Sequence, residues 1–251
     1  MKLLWALRSL LFVLWMAATV VPWGILMLLL SMFVRGERLY WPTMQWLRMA
    51  IWGARVICGI RARVQGLEHL PTAAEHRRAV VLASKHQSTW ETFFYPTLMP
   101  HPLAYVFKRE LLYVPFFGWA MGRLDMIHID RSLRARAFAK VVSQGKELLA
   151  RGVWVIMFPE GTRIPRGEKG EYKTSGTRLA IQTGAPVFPI AVNSATCWPR
   201  KAFIKHPGIV DVSIGPAISS EGRRHEEMMH EVETWIETEM HRLDPEAYAA
   251  V

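Results

Sequence analysis

An apolar stretch near the start of the chain runs from Leu10 to Val34 without a charged residue. It exceeds the roughly 20 residues that a helix needs to cross a bilayer, so it predicts a membrane-embedded segment. Pro22-Trp23-Gly24 lies in its middle, and Pro and Gly together favour a kink or a turn. We expect a broken helix pair that enters the bilayer and returns to the same side, with a single span as the alternative.

Basic residues flank both ends of this stretch, Lys2 and Arg8 before it and Arg35 and Arg38 after it. The positive-inside rule therefore selects no orientation for a single span. A hairpin would keep both basic ends on the cytoplasmic face of the membrane. We expect an inner (cytoplasmic) membrane location, with the rest of the chain on the cytoplasmic face.

The segment 40–63 has tryptophans interleaved with arginines at loose helical spacing. This pattern is typical of a helix at an anionic membrane interface, and it also fits an ordinary helix packed on a domain. We therefore predict membrane-associated helices over 1–63 and a second domain over 64–251.

From residue 77 onward, short apolar runs alternate with helical patterns, which predicts an α/β fold with a largely parallel sheet flanked by helices. The terminal segment 221–243 is charged and predicts a helix with a solvated face. The predicted strands are 79–83, 103–107, 126–129, 153–158, 187–192 and 209–214, and the predicted helices are 132–150 and 174–183.

Composition adds a second sign of membrane contact and a strong charge. Hydrophobic residues make up 51% of the 251 residues, 11 of them tryptophan, and the formal net charge is +10. Nucleic acid, anionic lipid headgroups and a phosphorylated substrate are all anionic partners that such a charge favours. The two cysteines, Cys58 and Cys197, form neither a disulfide framework nor a metal-ligand spacing.

The first group of residues with candidate chemistry, Ser84 to Glu91, directly follows a predicted strand. In α/β sheets, sites gather at the carboxyl ends of strands. His86 suits general-base chemistry near neutral pH. A carboxylate from Glu91, in the first turn of the next helix, would keep one imidazole nitrogen protonated and leave the other free as the base.

The second group, Phe158 to Arg163, follows the clearest buried strand. Gly161 allows a sharp turn and close approach of a ligand to the backbone, and Arg163 offers a planar fork for a phosphate. Glu160 could orient a basic neighbour or hydrogen-bond a substrate hydroxyl. We include Thr162 in this candidate substrate-binding loop.

Further basic residues follow other predicted elements. Arg131 ends the strand that begins at Ile127 and is either a second phosphate ligand or a surface partner of Asp130. Lys173 precedes a predicted helix N-terminus, which itself favours anions.

These residues together resemble the glycerolipid acyltransferase family, and within it the 1-acylglycerol-3-phosphate acyltransferases. The family pattern has four blocks in order, and the match covers roughly residues 79–215. The blocks are a His and an acidic residue with four residues between them (His86 and Glu91), an apolar stretch ending in Arg (127–131), Phe-Pro-Glu-Gly-Thr-Arg (158–163), and an apolar segment around Pro (187–190).

The resemblance implies transfer of a fatty acyl group from acyl-CoA or acyl-ACP to the sn-2 hydroxyl of lysophosphatidic acid, giving phosphatidic acid. His86 would be the general base, Arg131 and Arg163 would hold the acceptor phosphate, and Glu160 would help to place it. The thioester is a co-substrate, so no cofactor is implied; nor is a metal or a nucleic-acid partner. The expected partners are the lysophospholipid, the thioester, an anionic membrane surface and, as one donor, acyl carrier protein.

Two departures from the family pattern have different consequences. Glu91 stands where the family more often has Asp, and we expect its role to survive because the longer side chain can still reach the ring. Asp125 and His128 stand where Gly and Phe are more common, which leaves the acceptor open. Another lysophospholipid or a lyso-aminolipid is therefore an alternative acceptor. Two other classes also stay open: a lipase-like serine hydrolase that uses Ser88, and a non-enzymatic membrane-tethered protein that binds anionic lipid or nucleic acid.

Overall fold

A computed structural model describes residues 1–75, 78–130 and 134–248. Within them, seven strands form one sheet in the order β1-β7-β6-β2-β5-β3-β4. The strands are β1 (Ile60–Gln65), β2 (Val81–Ser84), β3 (Leu103–Lys108), β4 (Ile127–Ile129), β5 (Trp154–Met157), β6 (Val187–Val192) and β7 (Gly208–Ile214).

The sheet is parallel except between β6 and β7. The three central strands, β6, β2 and β5, are buried along their whole length because helices cover both faces of the sheet. The predicted α/β fold with a largely parallel sheet is confirmed, and strands β2 to β7 lie within two residues of their predicted bounds.

The helices of the α/β fold are α3 (Trp90–Leu98), α4 (Phe117–Met121), α5 (Arg134–Ala150), α6 (Ser175–Thr183), α7 (His225–Leu243) and α8 (Pro245–Tyr248). α6 ends at Gly184 in a left-handed conformation, as its sequence predicts. Ser132, the predicted cap of α5, lies outside the described residues.

Two helices precede the sheet, α1 (Lys2–Leu30) and α2 (Glu37–Cys58). The predicted break at Pro22-Trp23-Gly24 is wrong, because α1 continues through it. Gly24 has a packing role instead: an added Cβ would lie 2.9 Å from the Cβ of Phe116. The chain turns back only after Leu30, and α2 then packs antiparallel to α1.

α1 is long and apolar enough to cross a membrane, and only 11% of its most apolar window is buried against the protein. One face of α1 contacts the rest of the protein along most of the length of the helix. The Trp5 ring lies edge-on to His206, Phe12 lies edge-on to Trp198, and the Trp46 indole N–H donates to Thr19 Oγ1 at 3.1 Å.

One further expectation needs correction, and another agrees with the structure. The helix predicted over 40–63 ends at Cys58, and residues 60–63 begin β1, so the predicted domain boundary after residue 63 falls inside a strand of the sheet. α7 agrees with the predicted charged helix with a solvated face: charged residues are exposed on one side, and a stripe of apolar residues on the other side is buried against the sheet. The stripe consists of Met228, Met229, Val232, Ile236 and Met240.

Candidate active site

Two loops from neighbouring parallel strands form the candidate site. The loop after β2 carries His86, and the loop after β5 carries residues 158–163. Because β2 and β5 are paired and parallel, both loops emerge at the same edge of the sheet. The two strongest sequence motifs therefore meet in space.

His86 and Glu91 form a hydrogen-bonded pair. The imidazole Nδ1 lies 3.0 Å from Glu91 Oε1, with Glu91 in the first turn of α3, as its spacing predicts. An ionised carboxylate only accepts hydrogen bonds, so in the neutral imidazole this contact puts the proton on Nδ1 and leaves Nε2 without one. This tautomer is the one that a general base requires.

The Glu91 carboxylate is fully buried and is held by the loop that it orders. Its Oε1 also accepts the backbone N–H groups of Gln87 and Ser88, each at 2.7 Å. Its Oε2 accepts the hydroxyl of Ser194 at 2.6 Å. These bonds fix the carboxylate that orients His86.

The loop after β5 holds His86 from the other side. The Phe158 ring stacks on the imidazole, with ring centroids 3.9 Å apart and planes 18° apart. The His86 backbone N–H donates to Glu160 Oε2 at 2.8 Å, and its carbonyl accepts from the Ile164 N–H at 2.7 Å. Both the ring and the backbone of His86 are therefore fixed.

Glu160 lies between His86 and a buried lysine rather than in contact with open space. Its carboxylate is fully buried, and Oε1 is 2.8 Å from Lys85 Nζ. Burial raises the pKa of the Glu160 carboxyl, although the Lys85 ammonium and the His86 N–H act in the opposite direction. Of the two expected roles, the structure shows orientation of a basic neighbour, and Glu160 is not among the residues that line the cavity at His86.

Lys85 is completely buried, and its ammonium group has several polar partners. Its ammonium also contacts Glu237 Oε1 of α7 at 2.8 Å and the Glu168 carbonyl at 3.1 Å. The Tyr172 hydroxyl donates to Glu237 at 2.6 Å, and burial near Glu160 and Glu237 raises the pKa of that hydroxyl. A buried ionic network thus links α7 to the backbone of His86.

A mainly apolar cavity of about 620 Å³ opens onto this site. His86, Thr89, Gly161 and Arg163 line its polar part. α1, α2, α3 and the residues after β3 supply the apolar part. Among these are Val20, Trp23, Met44, Leu47, Phe93, Leu111 and Phe117.

The other predicted binding residues surround the polar part of the cavity. Gly161 has a left-handed φ of 67°. Arg163 Nη1 donates to Thr89 Oγ1 at 2.7 Å, which directs its guanidinium. A Cβ added to Gly161 would lie 3.9 Å from Lys173 Nζ, so that amine is adjacent. Thr162 is exposed.

More cations lie at the ends of β3 and β4, near the predicted position of an acceptor phosphate. Lys108 lines the cavity and pairs with Glu110. Burial lowers the pKa of His128, helped by Lys140 and Arg109. This concentration of positive charge favours an anion here. Arg131, the predicted second phosphate ligand, lies outside the described residues.

Ser88, the nucleophile of the hydrolase alternative, is buried, and its Oγ accepts the Trp90 N–H at 3.0 Å. The Ser88 hydroxyl therefore stabilises the N-terminal end of α3. Among the described residues, no three His, Cys, Asp or Glu side chains converge as metal ligands.

Comparison with known proteins decides the family. Residues 61–193, more than half of the chain, match the family model described as Acyltransferase. The chain is also 44% identical to a 1-acyl-sn-glycerol-3-phosphate acyltransferase of Pseudomonas aeruginosa, over 96% of this chain and 93% of that protein. The chain belongs to the acyltransferase family.

More distant relatives of this acyltransferase extend to mammals. The mouse 1-acyl-sn-glycerol-3-phosphate acyltransferase alpha is 30% identical over 75% of this chain and 65% of that protein. The crystal structure of the 1-acyl-sn-glycerophosphate (LPA) acyltransferase PlsC from Thermotoga maritima has the same fold. Its TM-score is 0.76 at 23% identity, over 97% of this chain and 96% of that one.

Three residues of the acyltransferase site escaped the sequence analysis. Lys85 directly precedes His86, and its place at the end of a buried strand is a signal that it needs a buried partner. The apolar stripe on α7 indicates a packed helix, from which Glu237 would face the protein. Ser194 is 103 positions from Glu91, and no sequence signal connects them.

We predict that Lys85→Met destabilises the acyltransferase by about 3–5 kcal/mol, because it leaves two carboxylates buried without their cation. The measurement is the free energy of unfolding in mild detergent. Lys169→Met is the matched control: Lys169 also pairs with α7, at 2.6 Å from Glu233, but its side chain is 58% exposed. It should cost at most about 1 kcal/mol. Equal losses in both variants would contradict a buried network.

Proposed function

We propose that this acyltransferase moves a fatty acyl group from a thioester to the sn-2 hydroxyl of lysophosphatidic acid, giving phosphatidic acid. The observation that carries the proposal is the His86–Glu91 pair at the polar part of a large apolar cavity. Lipid chains need such a cavity, and a hydroxyl acceptor needs such a base. The names of the relatives from Pseudomonas aeruginosa and mouse support the same acceptor.

In the proposed reaction, the acceptor hydroxyl loses its proton to His86 Nε2 as its oxygen attacks the thioester carbonyl carbon. The new C–O bond gives one tetrahedral oxyanion. The C–S bond then breaks, and the thiolate leaves with the electron pair and takes up the proton. Glu91 stabilises the transient imidazolium through Nδ1–H. No acyl-enzyme forms.

The acceptor phosphate is assigned to the basic side of the cavity. Arg163 is held by Thr89 at 2.7 Å, so its remaining N–H groups are free to form a planar fork for phosphate. Lys173 and Lys108 add positive charge nearby, and we retain Arg131 as a proposed ligand. The acyl chain is assigned to the apolar part between α1, α2 and α3. Acyl-CoA and acyl-ACP are both proposed donors.

We further propose that α1 lies within one leaflet of the inner membrane, with the α/β part on the cytoplasmic face. At 1.5 Å per residue, α1 is about 43 Å long, yet it is packed on the protein from Trp5 to Gly24. A crossing helix would separate from the protein as it enters lipid. The exposed face of α1 is apolar instead, as an in-plane helix requires. It includes Leu4, Leu7, Leu11, Leu14, Ile25 and Leu29.

We predict that His86→Ala lowers kcat by about 10²–10⁴-fold, because it removes the base. Glu91→Gln should also lower kcat, since an amide can hold the ring without stabilising its positive charge. The measurement is turnover of purified protein with acyl-CoA and lysophosphatidic acid in detergent. His230→Ala, an exposed histidine on α7, is the control and should be unchanged. If His86→Ala turned over substrate at a rate close to that of the parent, this mechanism would be wrong.

We predict that Arg163→Ala raises the KM for lysophosphatidic acid by about 10- to 100-fold, since charged hydrogen bonds contribute roughly 1.5–3 kcal/mol. The KM for the thioester should change much less. Arg163→Lys should recover only part of the loss because it lacks the fork. Thr89→Val, which frees the guanidinium, should have an intermediate effect. A raised thioester KM with an unchanged acceptor KM would instead assign Arg163 to the donor.

We predict that single cysteines at Lys2 and Arg35 both react with a membrane-impermeant reagent from the cytoplasmic side only. The two positions flank α1, so the result reports whether the helix returns to its starting face. Labelling is compared between intact cells and inverted vesicles, with Cys58 and Cys197 replaced by Ala. Both native cysteines are buried, which limits their background. Labelling of the two positions from opposite sides would establish a span.

A further inference from the structure

A second concavity, of about 510 Å³, lies where the start of α1, the end of α2 and the first residues of β1 and β7 meet. Arg8, Arg55 and Arg61 line it from three different elements. The remaining lining residues are glycine, proline or aliphatic, so the three guanidinium groups are its only polar side chains. We call it the arginine pocket.

The three arginines form no ion pair with a carboxylate among the described residues, unlike their neighbours. Arg63, two residues beyond Arg61, pairs with Asp211, and Arg242 pairs with Glu239. Like charges that share a concavity repel one another, and an anion would relieve that repulsion. Guanidinium groups are also well matched to phosphate oxygens. The pocket therefore has the chemistry of a phosphate site.

The backbone around Arg8 is fixed to the α/β part rather than free. The buried hydroxyl of Ser9 accepts the Lys205 N–H at 2.8 Å. The adjacent turn of α1 places Trp5 edge-on to His206, with centroids 5.1 Å apart. A site that is built in advance loses less entropy on binding.

The pocket and the candidate active site open at the same edge of the sheet. β7 is antiparallel to β6, while β6 is parallel to β2, and β1 is parallel to β7. The first residues of β1 and β7 therefore lie at the edge where β2 ends before His86. α1 follows this edge, with Arg8 at the pocket and Val20 and Trp23 at the apolar cavity.

Exposed apolar side chains surround the arginine pocket. Leu4 and Leu11 flank Arg8 on one face of α1, being four residues before it and three after it, and are 54% and 55% exposed. Val56 and Ile209, which line the pocket, are also about half exposed. A free phosphate needs no such surroundings, whereas a phospholipid presents a phosphate and acyl chains together.

We propose that the arginine pocket binds the phosphate of an anionic membrane phospholipid whose acyl chains lie along Leu4 and Leu11. This site is separate from the cavity at His86. A lipid held there would set the sheet edge against the leaflet, so that the cavity faces the bilayer.

The test is flotation of detergent-purified protein with vesicles of phosphatidylcholine, with and without phosphatidylglycerol. The pocket variant carries Arg8→Gln, Arg55→Gln and Arg61→Gln. We expect it to bind the anionic vesicles about 100-fold more weakly than the parent, because each basic residue near such a surface contributes about fivefold. Binding to pure phosphatidylcholine should be unchanged, since the apolar face of α1 remains.

The charge-matched control carries Arg136→Gln, Lys146→Gln and Arg224→Gln, three exposed residues outside the pocket. It loses the same net charge and should weaken binding at least tenfold less than the pocket variant. Equal losses would overturn the proposal in favour of general electrostatic attraction. Parental binding by a pocket variant with an unchanged Tm in detergent would overturn it as well.

A final arm separates a lipid from a free phosphate. Short-chain phosphatidylglycerol below its micelle concentration should raise the Tm of the parent and not that of the pocket variant. Inorganic phosphate at the same concentration should have little effect. If it raised the Tm as much as the lipid did, the lipid part of the proposal would be wrong. None of these measurements uses turnover, so the proposal stands or falls separately from the acyl-transfer reaction.

Discussion

The Glu91 carboxylate is the point on which the geometry of the site depends. Four groups donate to it: the His86 imidazole, the backbone N–H groups of Gln87 and Ser88, and the Ser194 hydroxyl. A buried carboxylate without these donors would carry a large desolvation cost. The loop after β2 therefore folds around the carboxylate, and the same folding places His86. The Glu91 carboxylate both organises the loop and orients the His86 imidazole. Glu91→Ala should therefore lower the free energy of unfolding as well as turnover.

Most of the fold could be predicted from the sequence because its physical causes are local. Buried parallel strands read as apolar runs, as in 153–158 and 187–192, and the two strand-end motifs must meet if their strands are paired. The His86–Glu91 spacing predicted a contact once Glu91 was placed in the first helical turn. The strand patterns and the His86–Glu91 spacing each lie within about ten consecutive residues, whereas the meeting of the two motifs follows from the pairing of β2 with β5.

What escaped prediction depends on contacts between distant segments. Ser194 reaches Glu91, and Glu237 reaches Lys85 across 152 positions, which no local pattern encodes. Glu160 was placed near His86 by its motif, but its burial in a network with Lys85, Glu237 of α7 and Tyr172 depends on distant segments. Pro22 predicted a break, yet the helix continues, since packing and the remaining hydrogen bonds outweigh the one that proline lacks.

In the proposed placement within one leaflet, α1 would join the membrane to the active site. Its inner face supplies part of the cavity wall at Val20 and Trp23, while its outer face is apolar and exposed. A helix that supported only membrane attachment could be joined by a flexible linker, but here Gly24 allows direct contact with Phe116 in the segment after β3. Movement of α1 away from the protein would therefore open the cavity and, in that placement, would also weaken attachment to the membrane. The proposed acyl-chain site would then lose one wall, so in this proposal membrane attachment and chain binding depend on the same packed interface.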